Sequence, residues 1–94
     1  MAKAIFHDTV IAESADVVTV EGNAYFPPSA IRWEYFSKTA HTTLCPWKGT
    51  ASYYSVAAGG ESAENIAWAY EEPREAAANI KGHVAFYPSV KIEP

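Results

Sequence analysis

The chain has 94 residues and a mass of 10.3 kDa, the size of one domain, with no length left for a second. Hydrophobic residues make up 49 % and charged residues 19 %, which excludes a disordered polar chain. Seven basic against eleven acidic side chains give a net charge of −4 and a pI near 5.2. No basic stripe is present, so nucleic acid is not an expected partner. The run from Met1 to Asp8 turns polar too soon for a secretory signal or a membrane span, so no membrane partner and a cytoplasmic location are expected. Cys45 is the only cysteine. It excludes an internal disulfide framework and any zinc site built from three or four thiolates of one chain, but leaves an intermolecular disulfide open.

In chain order, Ala4-Ile5-Phe6 and Val10-Ile11-Ala12 flank His7-Asp8-Thr9 and predict a β-hairpin. Val17 to Val20 reads as a strand. It ends at Glu21-Gly22-Asn23, where Gly22 and Asn23 suit positive φ and predict a tight turn into Ala24-Tyr25-Phe26. Pro27-Pro28 closes that strand. Ile31, Trp33 and Tyr35 alternate with Arg32, Glu34 and Phe36, the period of a half-buried strand. Ser37 to Leu44 is polar and threonine-rich and reads as an exposed loop.

Thr50 to Ala57 is the longest strand candidate, Gly59-Gly60 a hairpin turn and Ile66 to Tyr70 the return strand, which brings Trp68 and Tyr70 within reach of Tyr53 or Tyr54. Pro73 at a first turn, Glu75 to Ile80 and a Gly82 cap predict the one helix. Val84 to Tyr87, the Pro88-Ser89 turn and Val90 to Ile92 predict a final hairpin. The fold class expected is mainly β with one short α-helix, as a small antiparallel two-sheet sandwich or a partly open barrel.

Cys45 stands three residues before Lys48 on a loop bounded by Pro46 and Gly49, and a nearby ammonium favours the reactive thiolate. The plainer alternative is a small buried thiol beside a strand-end charge. His41 and His83 are the histidines expected nearest Cys45, as partners for a Cys/His dyad or, with a carboxylate, for a metal. Neither arrangement is favoured over chance proximity, and neither a metal nor a cofactor is expected. The three tryptophans, six tyrosines and four phenylalanines are more informative. Trp47, Tyr53, Tyr54, Trp68, Tyr70 and Tyr87, with His83, are the candidates for an aromatic-lined cleft, with Lys48 anchoring an anionic group at its rim. Core filling is the competing account of the same rings. The carboxylates at 61, 64, 71, 72 and 75 fall at turns or the helix start and form no convincing acid–base pair. There is no GxxxxGK loop and no GxSxG elbow.

The block Thr43-Leu44-Cys45-Pro46-Trp47-Lys48-Gly49-Thr50-Ala51-Ser52-Tyr53-Tyr54, with Tyr25-Phe26-Pro27, Ala67 to Pro73 and Ile80 to Tyr87, resembles the small bacterial family of unknown function numbered 427 across nearly the whole chain. The family pattern falls on Cys45, Lys48, Gly49, Tyr53, Tyr54, Trp68, Tyr70 and Pro73. It accepts tyrosine in place of His83 and threonine in place of His41, which weakens any reaction that needs an imidazole there. The resemblance implies a fold similar to the β-tent group, several members of which hold a small ligand in an aromatic cage in the cleft between two sheets. The family also carries a nucleotidyltransferase-like label. The magnesium-holding acids and phosphate loop of such an enzyme are not apparent in the sequence.

Three functions are therefore carried forward. The first is a small-molecule binding domain with Lys48 and Cys45 at the polar end of its cleft. The second is a small enzyme, using a Cys45 thiolate assisted by Lys48 or a nucleotidyltransferase-like activity. The third is an interaction module acting through its aromatic surface, with a homodimer left open.

Overall fold

Three two-residue turns set the strand pairing. His7-Asp8 (φ 43° and 61°), Glu21-Gly22 (53° and 81°) and Gly59-Gly60 (62° and 78°) are left-handed at both positions, the geometry whose twist matches the flanking strands of a hairpin. In the computed structural model, which describes residues 1–94, they join β1 (Ala2–Phe6) to β2 (Thr9–Ser14), β3 (Val18–Val20) to β4 (Asn23–Tyr25), and β6 (Gly49–Ala58) to β7 (Glu61–Ala69). The middle turn is one residue earlier than the sequence suggests, because Asn23 already pairs with Val20.

The remaining strands are β5 (Phe36–Cys45), β8 (Val84–Phe86) and β9 (Lys91–Glu93). They complete a three-stranded sheet β2-β1-β9, a two-stranded ribbon β3-β4 and a four-stranded sheet β5-β6-β7-β8. All pairs are antiparallel. The domain is thus mainly β with one short helical segment late in the chain, and none of its three sheets closes into a barrel. No helix is long and apolar enough to cross a membrane.

Four local expectations are corrected. Residues 37–44 form most of β5 rather than a loop: threonine is β-branched and suits an edge strand whose faces are largely open to water. Trp33–Tyr35 is a 3-10 turn rather than a strand. Ile31 meets Ala12 in an isolated bridge, and Trp33 Nε1 donates to the Pro28 carbonyl at 3.0 Å. The expected α-helix is a run of 3-10 turns, Glu75–Ile80, kinked at Ala77 (φ −117°, ψ 20°). Six residues are too few to sustain α-helix alone, and three residues per turn put Ala77 and Ile80 on one buried face. Finally, β8 and β9 are not a hairpin. β8 pairs with β7, and β9 crosses over to pair with β1, with Ala4 opposite Ile92.

The four-stranded sheet is buried on both faces over part of its area. Strand alternation sends Tyr54, Val56, Ala67, Ala69, Val84 and Phe86 inward, where they pack with Ala4, Phe6, Ile11 and Ala12 of the three-stranded sheet. The outward set is Ala51, Tyr53, Tyr70 and Ala85, which pack with Tyr25 of the ribbon and Ala77 and Ile80 of the 3-10 turns. Phe26 pins ribbon to sheet, exchanging two 2.8 Å backbone hydrogen bonds with Val84.

Candidate functional site

The ribbon and the 3-10 turns cover only one end of the outward face. Beyond their edge stands a row of rings. Tyr53 of β6 pairs with Trp68 of β7, and their centroids are 6.4 Å apart. His41 of β5 packs on the far side of Tyr53 at 4.6 Å, and Tyr87, just past β8, lies 4.9 Å from Trp68 and 6.5 Å from Tyr53. A β-bulge in β5 sets His41 in place. Thr39 Oγ1 donates to Asn65 Oδ1 at 2.6 Å and accepts from the His41 N–H at 3.2 Å, while Asn65, on β7 beyond β6, occupies the left-handed region at φ 52°. Polar tips converge among these rings. Thr43 Oγ1 and the Tyr53 hydroxyl are 3.0 Å apart, and Trp68 Nε1 donates to the buried Tyr25 hydroxyl at 3.1 Å. The neighbouring Tyr53 phenol, with burial adding to it, raises the Tyr87 phenol above its usual value. Tyr53 is only 6 % exposed, Trp68 is half-buried and Tyr87 is 44 % exposed, so the row has a packed base and an open rim.

Lys48 lies on the same face but is not a free anchor. Cys45 pairs with Gly49 across the Pro46-Trp47-Lys48 turn, and Gly49 has φ 109°, a backbone conformation suited to glycine. The Lys48 carbonyl accepts from the Arg74 N–H at 2.9 Å, tying this turn to the chain after β7. The ammonium, 5.3 Å from the ring centroids of both Trp47 and Tyr70, pairs with Glu21 from the ribbon turn. Lys48 is 6 % exposed. Burial works to lower its pKa, but the Glu21 hydrogen bond and the neighbouring Tyr25, Tyr70 and Glu21 hold it above the ordinary lysine value. The Lys48 hydrogen bond likewise draws Glu21 below the usual carboxylate value, and burial raises the Tyr70 phenol.

The inward face ends differently. Along β6 the inward positions run Ala58, Val56, Tyr54, Ser52 and Thr50, turning from apolar to polar where the three-stranded sheet no longer covers them. There the surface holds a depression of about 460 Å³ lined by Lys38, Thr50, Ser52, Glu71 and Glu72. Lys38 Nζ meets Glu71 Oε1 at 2.6 Å. The Lys38 hydrogen bond, with further hydrogen bonds from Ser52 and Tyr54, holds the Glu71 carboxyl below its usual value.

The model of the family described as a domain of unknown function, DUF427 (NTP_transf_9), matches residues 1–93. The chain belongs to this family. No curated protein matches it. The DUF427 domain brings Tyr53, Trp68 and Tyr87 together in one row, and gathers Trp47, Lys48, Tyr70 and Cys45 beside it. It does not bring Tyr54 to them: adjacent strand residues face opposite ways, and Tyr54 packs inward against Trp33, their ring centroids 5.5 Å apart. His83 is three strands from β5, at about 4.8 Å per strand, and its Nδ1 lies 3.0 Å from the Lys81 carbonyl oxygen. His41 and Cys45 share a strand face but are four residues, about 13 Å, apart. The geometry therefore assembles no Cys/His dyad, and no three His, Cys, Asp or Glu side chains converge as metal ligands do. Sequence reasoning missed His41 as a member of the row, Thr43, and the polar depression. The last was signalled by Ser52 and Thr50, which continue the inward parity of Tyr54 and Val56.

Glu71 gives this DUF427 domain a defined acid sensitivity. Its folded-state pKa lies below the ordinary 4.5, so its stabilising contribution is complete above that value and is lost as pH falls through the depressed one. Glu71→Gln is expected to melt below the wild type at pH 7 and to converge with it as the pH is lowered past 4.5. Melting curves across that range are the check.

Proposed function

We propose that this DUF427 domain binds a small molecule carrying a planar ring against the Tyr53–Trp68–Tyr87 row. The reading is supported by the placement of these rings on a part of the outward sheet face that the ribbon and 3-10 turns leave open. Rings with polar tips supply an apolar platform and directed hydrogen bonds together. The Thr43, Tyr53 and Tyr87 hydroxyls, rather than Lys48, form the polar end of this site. Lys48, Trp47, Tyr70 and Cys45 then act as its support, holding the ribbon turn against the sheet.

The test is a thermal-shift screen of ring-bearing metabolites, nucleotides with and without Mg²⁺ among them, repeated on Tyr87→Ala. A binding compound raises the melting temperature by mass action. Its affinity is expected to fall about tenfold in Tyr87→Ala, whose removed ring is largely exposed, with a cooperative melt retained. A flat screen, or a stabilising compound indifferent to Tyr87, contradicts the proposal.

A further inference from the structure

The polar depression lies on the opposite face of the four-stranded sheet from the aromatic row, so one ligand cannot occupy both. Its floor is Ser52 and Thr50 of β6, and its walls are Lys38 of β5 and Glu71 and Glu72 just after β7. A volume of about 460 Å³ suits a molecule of roughly sugar size. None of the five lining residues is hydrophobic. A ligand that gives up water there is compensated chiefly through polar groups that reach these side chains.

The charges narrow the class further. Lys38 and Glu71 neutralise one another at 2.6 Å, whereas Glu72 takes part in no ion pair. The depression thus carries one uncompensated negative charge beside two hydroxyls that can both donate and accept. A divalent cation is disfavoured because the Lys38 ammonium already occupies Glu71. An organic ammonium can reach Glu72 while its hydroxyls engage Ser52 and Thr50.

We infer that the Lys38–Ser52–Glu72 depression is a second binding site, for a small polyhydroxylated amine of the amino-sugar or amino-alcohol class. Recognition is by one charge contact at Glu72 and by hydroxyl exchange with Ser52 and Thr50. Binding is weak and salt-sensitive, since the depression is open to water.

The test uses the full chain, uniformly labelled with nitrogen-15, titrated with glucosamine and, in parallel, with glucose. Saturable shifts of the Thr50, Ser52, Glu71 and Glu72 amides are expected with glucosamine, with binding weaker by about fivefold or more for glucose, which lacks the charge. Glu72→Gln removes that preference, and because Glu72 is exposed the variant keeps its fold. Added salt weakens glucosamine binding and leaves glucose unaffected. The inference is overturned if glucosamine gives no saturable shift at these amides, if glucose binds equally well, if Glu72→Gln leaves the preference intact, or if the shifts fall on the outward aromatic face instead.

Discussion

Gly59→Ala is expected to cost about 2–4 kcal/mol of folding stability. Gly59 has φ 62°, and a methyl group there would sit 2.6 Å from the His7 carbonyl oxygen and 3.1 Å from Thr9 Oγ1. The obstruction is backbone, so relief requires the β1–β2 turn to move away from the β6–β7 turn. These two turns meet where the three-stranded and four-stranded sheets join around the core, and the movement would open that junction. Gly60 supplies the control. It is also left-handed, at φ 78°, but a methyl group there meets nothing within 4 Å. Gly60→Ala should therefore lose only the conformational part, about 1–2 kcal/mol. For a domain of this size the difference is a melting temperature lower by roughly 10 °C in Gly59→Ala than in Gly60→Ala. Equal losses would mean that the two turns do not pack as described.

The second large effect is at Lys48. Lys48→Glu places a carboxylate beside Glu21 in a site 6 % exposed and removes the cation from between Trp47 and Tyr70. An uncompensated charge there is expected to cost about 3–5 kcal/mol. Lys48→Met keeps the aliphatic stem and its packing, and should lie within about 1 kcal/mol of the wild type because it also removes the desolvation cost of the ammonium. Adding Glu21→Lys to Lys48→Glu restores opposite charges and should recover at least about 1 kcal/mol of the loss. Denaturant melts of the three variants decide the matter. If Lys48→Glu is tolerated like Lys48→Met, the ammonium is not held by Glu21 and is free to serve a ligand, as its position three residues after Cys45 first suggested.

How much of this was legible in the sequence follows from how far apart the partners are. The His7-Asp8 and Gly59-Gly60 turns are local, and their residues name them. The opposite facing of Tyr53 and Tyr54 follows from strand period alone, but period two does not say which face stays open, so the sequence offers both rings to one cleft. Lys48 and Glu21 are 27 residues apart, and β9 pairs with β1 across nearly the whole chain. Nothing in either segment marks its partner. β5 was hidden by its polarity: a hydrophobic pattern is absent from an edge strand that buries little, and only the β-branched threonines hinted at it. The Gly49 turn is visible in the Cys-Pro-Trp-Lys-Gly block, but the packing of residues 72–74 beside it is not.

Trp33 and Trp68 stand on opposite faces of the same sheet, which makes their indole N–H resonances paired reporters for the claim that the outward row is the ring-binding surface. The direct measurement is a titration of nitrogen-15-labelled protein with indole, nicotinamide and adenosine. The Trp68 indole signal should move saturably with at least one of them while that of Trp33, hydrogen-bonded to the Pro28 carbonyl at 3.0 Å, stays in place. Movement of Trp33 with Trp68 unmoved, or no saturable shift of Trp68 with any of the three, would contradict the account and return the row to the role of core alone.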